Sequence, residues 1–136
     1  MILRLISVLT IASACAKSGT VAIHDGRGRG GATIDLTATS SSSRSFPVLV
    51  GQARLAAADR LSHRIRAERG GIIDANVRLC VAPDGRVAEV AIARSSGMPE
   101  FDRALVSGAE GWTYQPFPGA SDAKVCEHFA ISYIAN

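Results

Sequence analysis

Long apolar runs, a large surplus of either charge and the common nucleophile motifs are all missing from this chain of 136 residues. The apolar stretch from Leu5 to Ile11 falls well short of the ~20 residues that a helix needs to cross a bilayer, which disfavours a permanent transmembrane anchor. The formal charge of +3 is scattered rather than clustered, and loss of Arg4 with a leader would lower it further. That excludes a nucleic-acid footprint. There is no G-x-S-x-G, no H-E-x-x-H and no serine or cysteine with an evident neighbouring base, so nucleophilic and zinc-hydrolase chemistry lack their usual parts. His24, His63 and His128 lie on three different segments. Aromatics are few, one Trp, two Tyr and four Phe, so Trp112 and Tyr114 read as core plugs more readily than as binding aromatics. The length suits one small domain plus a leader, since typical domains hold about 100 to 150 residues.

What is present begins with a leader. Residues 1–14 place a cation at Arg4, then the apolar stretch, then small residues running into Cys15, the layout of a secretory signal peptide. Ala12-Ser13-Ala14 suits an ordinary signal peptidase, while the same residues with Cys15 form a bacterial lipoprotein box in which Ala12 replaces the usual leucine. Cysteine parity favours lipid on Cys15: three cysteines are odd in an oxidising compartment, and lipidation leaves Cys80 and Cys126 as a pair. The expected location is the periplasm, with a lipid anchor to a bacterial membrane.

Residues 15–46 are rich in Gly, Ser, Thr and Ala and read as a flexible tether. A short strand at residues 21–23 or 32–37 is compatible with the sequence but has no clear periodicity behind it. Gly26, Gly28 and Gly31 spell G-x-G-x-x-G, but no helix follows to offer its N-terminus to a pyrophosphate, so no dinucleotide is expected.

The domain is expected over residues 47–136. Gln52, Leu55, Ala58, Leu61 and Ile65 recur every three or four residues before Gly70-Gly71, which predicts an amphipathic helix. Residues 76–82 alternate, with Val77, Leu79 and Val81 on one face. Pro83-Asp84-Gly85-Arg86 then turns the chain into a second strand over residues 87–94. Pro99, with Glu100 and Asp102 behind it, opens a short helix that Gly108 and Gly111 weaken at its end. Lys124 to Ile134 alternates again, Val125, Phe129, Ile131 and Tyr133 against Cys126, His128 and Ser132. The fold class is α+β: a small antiparallel sheet of β-β-α-β order with helices packed on one face, preceded by an amphipathic helix.

Gly71, Pro83-Asp84-Gly85-Arg86-Val87, Ser95-Ser96-Gly97, Phe101-Asp102 and Trp112-x-Tyr114-x-Pro116, in this order and spacing, resemble the TonB C-terminal domain family over roughly residues 71–134. The resemblance implies that the third strand lies beside the first and antiparallel to it, leaving an edge to which a partner's extended segment can add. The contact residues it implies are Lys124, Val125, Glu127, His128, Phe129, Ile131 and Tyr133. It also makes the strands of Cys80 and Cys126 neighbours, which implies a disulfide between them. A metal site from Cys80, Cys126 and His128 would match no known ligand spacing. The transmembrane helix and Pro-rich spacer of the family's energy transducers have no counterpart here, and Phe46-Pro47 is only loosely similar to the family's aromatic-proline pair.

The function expected is non-catalytic: an envelope interaction module without cofactor or metal. The partner is an envelope protein, with an outer-membrane receptor among the candidates. An accessory to TonB-dependent transport is the second reading, and a small metal-binding or enzymatic envelope protein the third.

Overall fold

The computed structural model describes residues 32–39 and 45–136. The leader, Cys15, His24 and the Gly26–Gly31 run lie outside the described residues. Nine elements follow one another: β1 (Thr33–Ala38), β2 (Leu49–Val50), α1 (Ala56–Asp59), α2 (Ser62–Arg69), β3 (Ile72–Val81), β4 (Val87–Arg94), α3 (Pro99–Glu110), β5 (Thr113–Tyr114) and β6 (Val125–Ile134). The main sheet is antiparallel in the order β1-β6-β3-β4, and β2 and β5 form a small second sheet.

Alternation in β3 and β6 decides which face of the sheet is covered. Ile73, Ala75, Val77 and Leu79 of β3 and Ile131 and Tyr133 of β6 are buried together with Phe101, Leu105 and Ala109 of α3 and Ile65 of α2. The Phe101 and Tyr133 rings meet edge to face, 5.5 Å between centroids. The helices therefore share one face of the sheet, and the third sequence strand lies beside the first as the resemblance implied.

Two motifs that read separately in the sequence touch in the fold. Gly85 has φ +87°, and a Cβ there would sit 2.0 Å from the Tyr114 carbonyl oxygen. Tyr114 donates its N–H to the Gly85 carbonyl at 2.8 Å, and Phe117 donates to the Pro83 carbonyl at 3.0 Å. The hairpin tip is thus pressed onto the segment after α3, and only glycine allows that approach.

The expected single helix is two. The chain turns at Arg60 and Leu61, between α1 and α2, because the residues flanking the turn serve the sheet. The Tyr133 hydroxyl donates to Asp59 Oδ1 at 2.7 Å and lies 3.3 Å from Ser62 Oγ. The break also divides the packing: α1 lies on α3, α2 on β3. Gln52 precedes both helices and is exposed.

Gly108 does not end α3, which continues to Glu110. A Cβ at Gly108 would meet Leu55 Cδ2 at 2.4 Å. The glycine is where the residues leading into α1 approach α3. At the other end of α3, Asp102 accepts the Ser96 N–H at 3.0 Å and the Ser95 hydroxyl, so the Ser-Ser-Gly stretch is tied back onto the helix it precedes. Burial opposes ionisation of Asp102, but the hydrogen bonds from Ser95 and Ser96 outweigh it and hold the carboxyl below its ordinary range.

The largest departure is β1. Thr33–Ala38 falls inside the expected tether, yet it pairs along its whole length with β6. Ile34 and Leu36, two residues apart, place one buried and one half-buried side chain on the helix-covered face. Flanking threonines favour the extended backbone.

Candidate partner-binding edge

The edge expected to be open is the flank of β6 that faces away from β3. In this structure it carries β1: Thr33 pairs with Ile134, Ile34 with Tyr133, Asp35 with Ser132, Leu36 with Ile131, Thr37 with Ala130 and Ala38 with Phe129. Thr39 extends the contact, donating its N–H and its hydroxyl to the His128 carbonyl at 2.8 and 3.1 Å. The pairing of β1 with β6 has no register shift, whereas that of β3 with β4 shifts twice, between Asn76 and Val77 and between Cys80 and Val81. Bulges of this kind blunt an edge. The flank of β4 is therefore poorly shaped for a further strand, and that of β6 is demonstrably regular.

On its other flank β6 is fixed. Cys80 and Cys126 are directly paired, 4.0 Å apart at Cα, and form a disulfide on the face away from the helices. Arg78 covers it, with one guanidinium nitrogen 3.2 Å from Cys126 Sγ and another 2.8 Å from Glu89 Oε1. Lys124 reaches the other Glu89 oxygen at 2.9 Å. The Lys124 hydrogen bond and charge, with Arg78 beside them, hold the Glu89 carboxyl below its ordinary range. Both ion pairs are half exposed and add little stability, but through Glu89 of β4 they join Arg78 of β3 to Lys124, the residue just before β6.

The seven expected contact residues divide by face. Ile131 and Tyr133 are 1% and 0% exposed and point into the core. Burial, with Asp59 adding to it, pushes the Tyr133 hydroxyl up to about 12. Glu127 is also buried, at 4%, and its Oε1 accepts the His128 N–H at 2.9 Å. Phe129 packs edge to face on Phe46, centroids 5.1 Å apart, and Phe46 does the same on Tyr114 at 5.4 Å. Val125 and Lys124 line a groove of about 280 Å³ with Pro47, Phe117 and Pro118. His128 is exposed. What β6 offers along its outer flank is therefore main chain, together with the inner seats opposite Tyr133, Ile131 and Phe129.

Phe46, Ile34 and Leu36 take part in this edge and were not among the expected contact residues, although a strand over residues 32–37 was one possibility in the sequence. The alternation of Ile34 and Leu36 between threonines was the available signal. For Phe46 there was only the aromatic-proline pair. Cys80, Cys126 and His128 do not converge as ligands, and among the described residues no group of three or more His, Cys, Asp or Glu side chains could hold a metal ion. No helix among them is long and apolar enough to cross a membrane.

Residues 65–134 match the family of the Gram-negative bacterial TonB protein C-terminal domain, which covers just over half of the chain. The chain belongs to the TonB C-terminal family. No curated protein and no solved structure matches it. Domains of the TonB C-terminal family are periplasmic and non-enzymatic, and act in protein interaction in the envelope, linked to TonB-dependent transport. The matched stretch runs from within α2 to the end of β6 and leaves out β1, β2 and α1. The strand lying on β6 therefore comes from residues outside the matched stretch.

Proposed function

We propose that this protein is a periplasmic interaction module, held to a bacterial membrane by lipid on Cys15, that receives an extended segment of an envelope partner as an added strand along β6. It catalyses no reaction. The observation that carries the reading is the pairing of β1 with β6: six successive residues lie in antiparallel register on that edge, so its main-chain groups accept an extended chain there. Backbone hydrogen bonds would supply affinity, and the seats opposite Tyr133, Ile131 and Phe129 the selection. Lys124, Val125, Glu127 and His128, at the start of the strand, would meet the end of the segment that lies beyond Ala38.

Photo-crosslinking in cells tests this. Probes replacing Lys124, His128 or Ser132 are expected to capture one envelope protein, and probes replacing Ala88 or Arg94 on β4 are not. Capture of nothing from the β6 positions, or equal capture from β4, sinks the reading. Membership of the TonB C-terminal family favours a second, narrower version, in which the partner is an outer-membrane receptor and the protein assists TonB-dependent transport. Deletion of the gene then lowers uptake through that receptor, and unchanged uptake excludes the version.

A further inference from the structure

We infer that β1 is a resident competitor for the β6 edge, and that the segment replacing it is an extended peptide of β1's own pattern: two aliphatic residues two positions apart, with small or polar residues around them. This rests on β6 being the receiving edge, as proposed above.

Three observations carry it. First, β1 lies at the rim of the sheet, and among the described residues β6 is its only strand neighbour. Of its six residues only Ile34 is buried, whereas β3 buries most of its length. Few apolar contacts mark a segment that opens below the global unfolding free energy. Second, the Cys80–Cys126 disulfide ties β6 to β3, so β1 can leave without taking β6 with it. Third, β1 lies outside residues 65–134, the stretch that matches the family.

The seats define the newcomer. Ile34 stands opposite Tyr133 and Leu36 opposite Ile131 on the covered face, while Thr33, Asp35 and Thr37 face away from the helices. A replacing segment runs antiparallel to β6 and places aliphatic side chains in those two seats. It competes with a strand already attached, whose effective concentration is roughly millimolar for a short linker. A segment with the same contacts as β1 therefore binds the intact chain with an apparent Kd no tighter than roughly that value, because only the open fraction is competent.

The probe is a labelled octapeptide copying residues 32–39, titrated by fluorescence anisotropy into the full mature chain and into an Ile34→Asp, Leu36→Asp variant. The variant is expected to bind about tenfold or more tightly than the intact chain, and a peptide with aspartate at both aliphatic positions is expected not to bind. Equal binding by variant and intact chain overturns the competition, and equal binding by the two peptides overturns the seat pattern. Hydrogen exchange on the intact chain needs no variant to fold: amides that β1 and β6 share are expected to exchange about tenfold or more faster than those that β6 shares with β3. Equal rates overturn the inference. If the variant binds the octapeptide but β6 probes capture no envelope protein, the proposed function fails and the competition stands.

Discussion

Cys80 and Cys126 face each other across β3 and β6, and their bond closes a loop of 46 residues that contains β4, α3 and β5. Cross-linking removes loop-closure freedom from the unfolded chain, an effect of about 4 kcal/mol for this length on the chain-entropy account and about 2 to 4 kcal/mol in typical measurement. The Cys80→Ala, Cys126→Ala variant is expected to lose about 2 to 4 kcal/mol of unfolding free energy. Intact mass of the folded, oxidised protein with and without reductant checks the bond itself. Two free thiols before reduction would contradict it.

At Gly85 the hairpin tip and the chain after α3 meet with no room for a side chain. Alanine there has to hold φ +87° and place its Cβ against the Tyr114 carbonyl. The left-handed backbone costs about 1 to 2 kcal/mol and the crowding about 1 to 3 kcal/mol. Gly85→Ala is expected to lower stability by about 2 to 5 kcal/mol in total, read as a lower urea midpoint at unchanged slope. A loss below about 1 kcal/mol would show that the tip swings free at little cost.

This pair of motifs also shows what the sequence can reveal. Turn chemistry at Pro83-Asp84-Gly85 and the extended Trp112-x-Tyr114 stretch were each legible, because φ preferences and alternation act locally. That the two touch was not, since nothing local in either states the distance between them. The same holds for the turn at Arg60, where Asp59 and Ser62 answer to a tyrosine more than 70 residues away. Strand β1 was hardest to read. Two aliphatic side chains in six residues satisfy no periodicity test, and its pairing partner begins at Val125. The candidate edge itself was legible as the alternating β6. Its occupant was not, nor was the inward position of Glu127, a charged residue on an otherwise apolar face.

The Tyr133 hydroxyl makes a pH dependence testable. Burial first, and Asp59 after it, raise its pKa from 10.0 to about 12 in the folded state. The unfolded chain releases this proton near pH 10 and the folded one near 12. Between those values the folded state holds more protons, so stability falls as pH rises through that window and the contribution is fully present below it. Tyr114, pushed up by burial alone, acts in the same direction. Tyr133→Phe is expected to cost about 1 to 2 kcal/mol at pH 7 through the lost hydrogen bonds. It is also expected to flatten the decline between pH 10 and 12. Urea midpoints measured across that range for both proteins test it, and parallel curves would assign the decline elsewhere.

Phe46 bridges the main sheet and the small one through its ring. Its ring stands edge-on to Phe129 in the main sheet and to Tyr114 in the small one, at interplanar angles of 73° and 85°. Edge-to-face pairs contribute about 0.5 to 1.5 kcal/mol each beyond the area they bury, and the half-buried ring adds its own transfer term. Phe46→Ala is expected to destabilise the domain by about 2 kcal/mol. Phe46→Leu should restore part of that loss through area alone. A double-mutant cycle with Phe129→Ala isolates the ring pair, and a coupling of about 0.5 to 1.5 kcal/mol is expected. Because Phe129 stands at the end of the β6 edge opposite Ala38, the same variant should loosen the last residues of β1 first. Hydrogen exchange at Ala38 and Thr39, faster in Phe46→Ala while the amides near Thr33 keep their rate, is the outcome that ties this aromatic contact to the edge. A uniform change along β1 would separate the two.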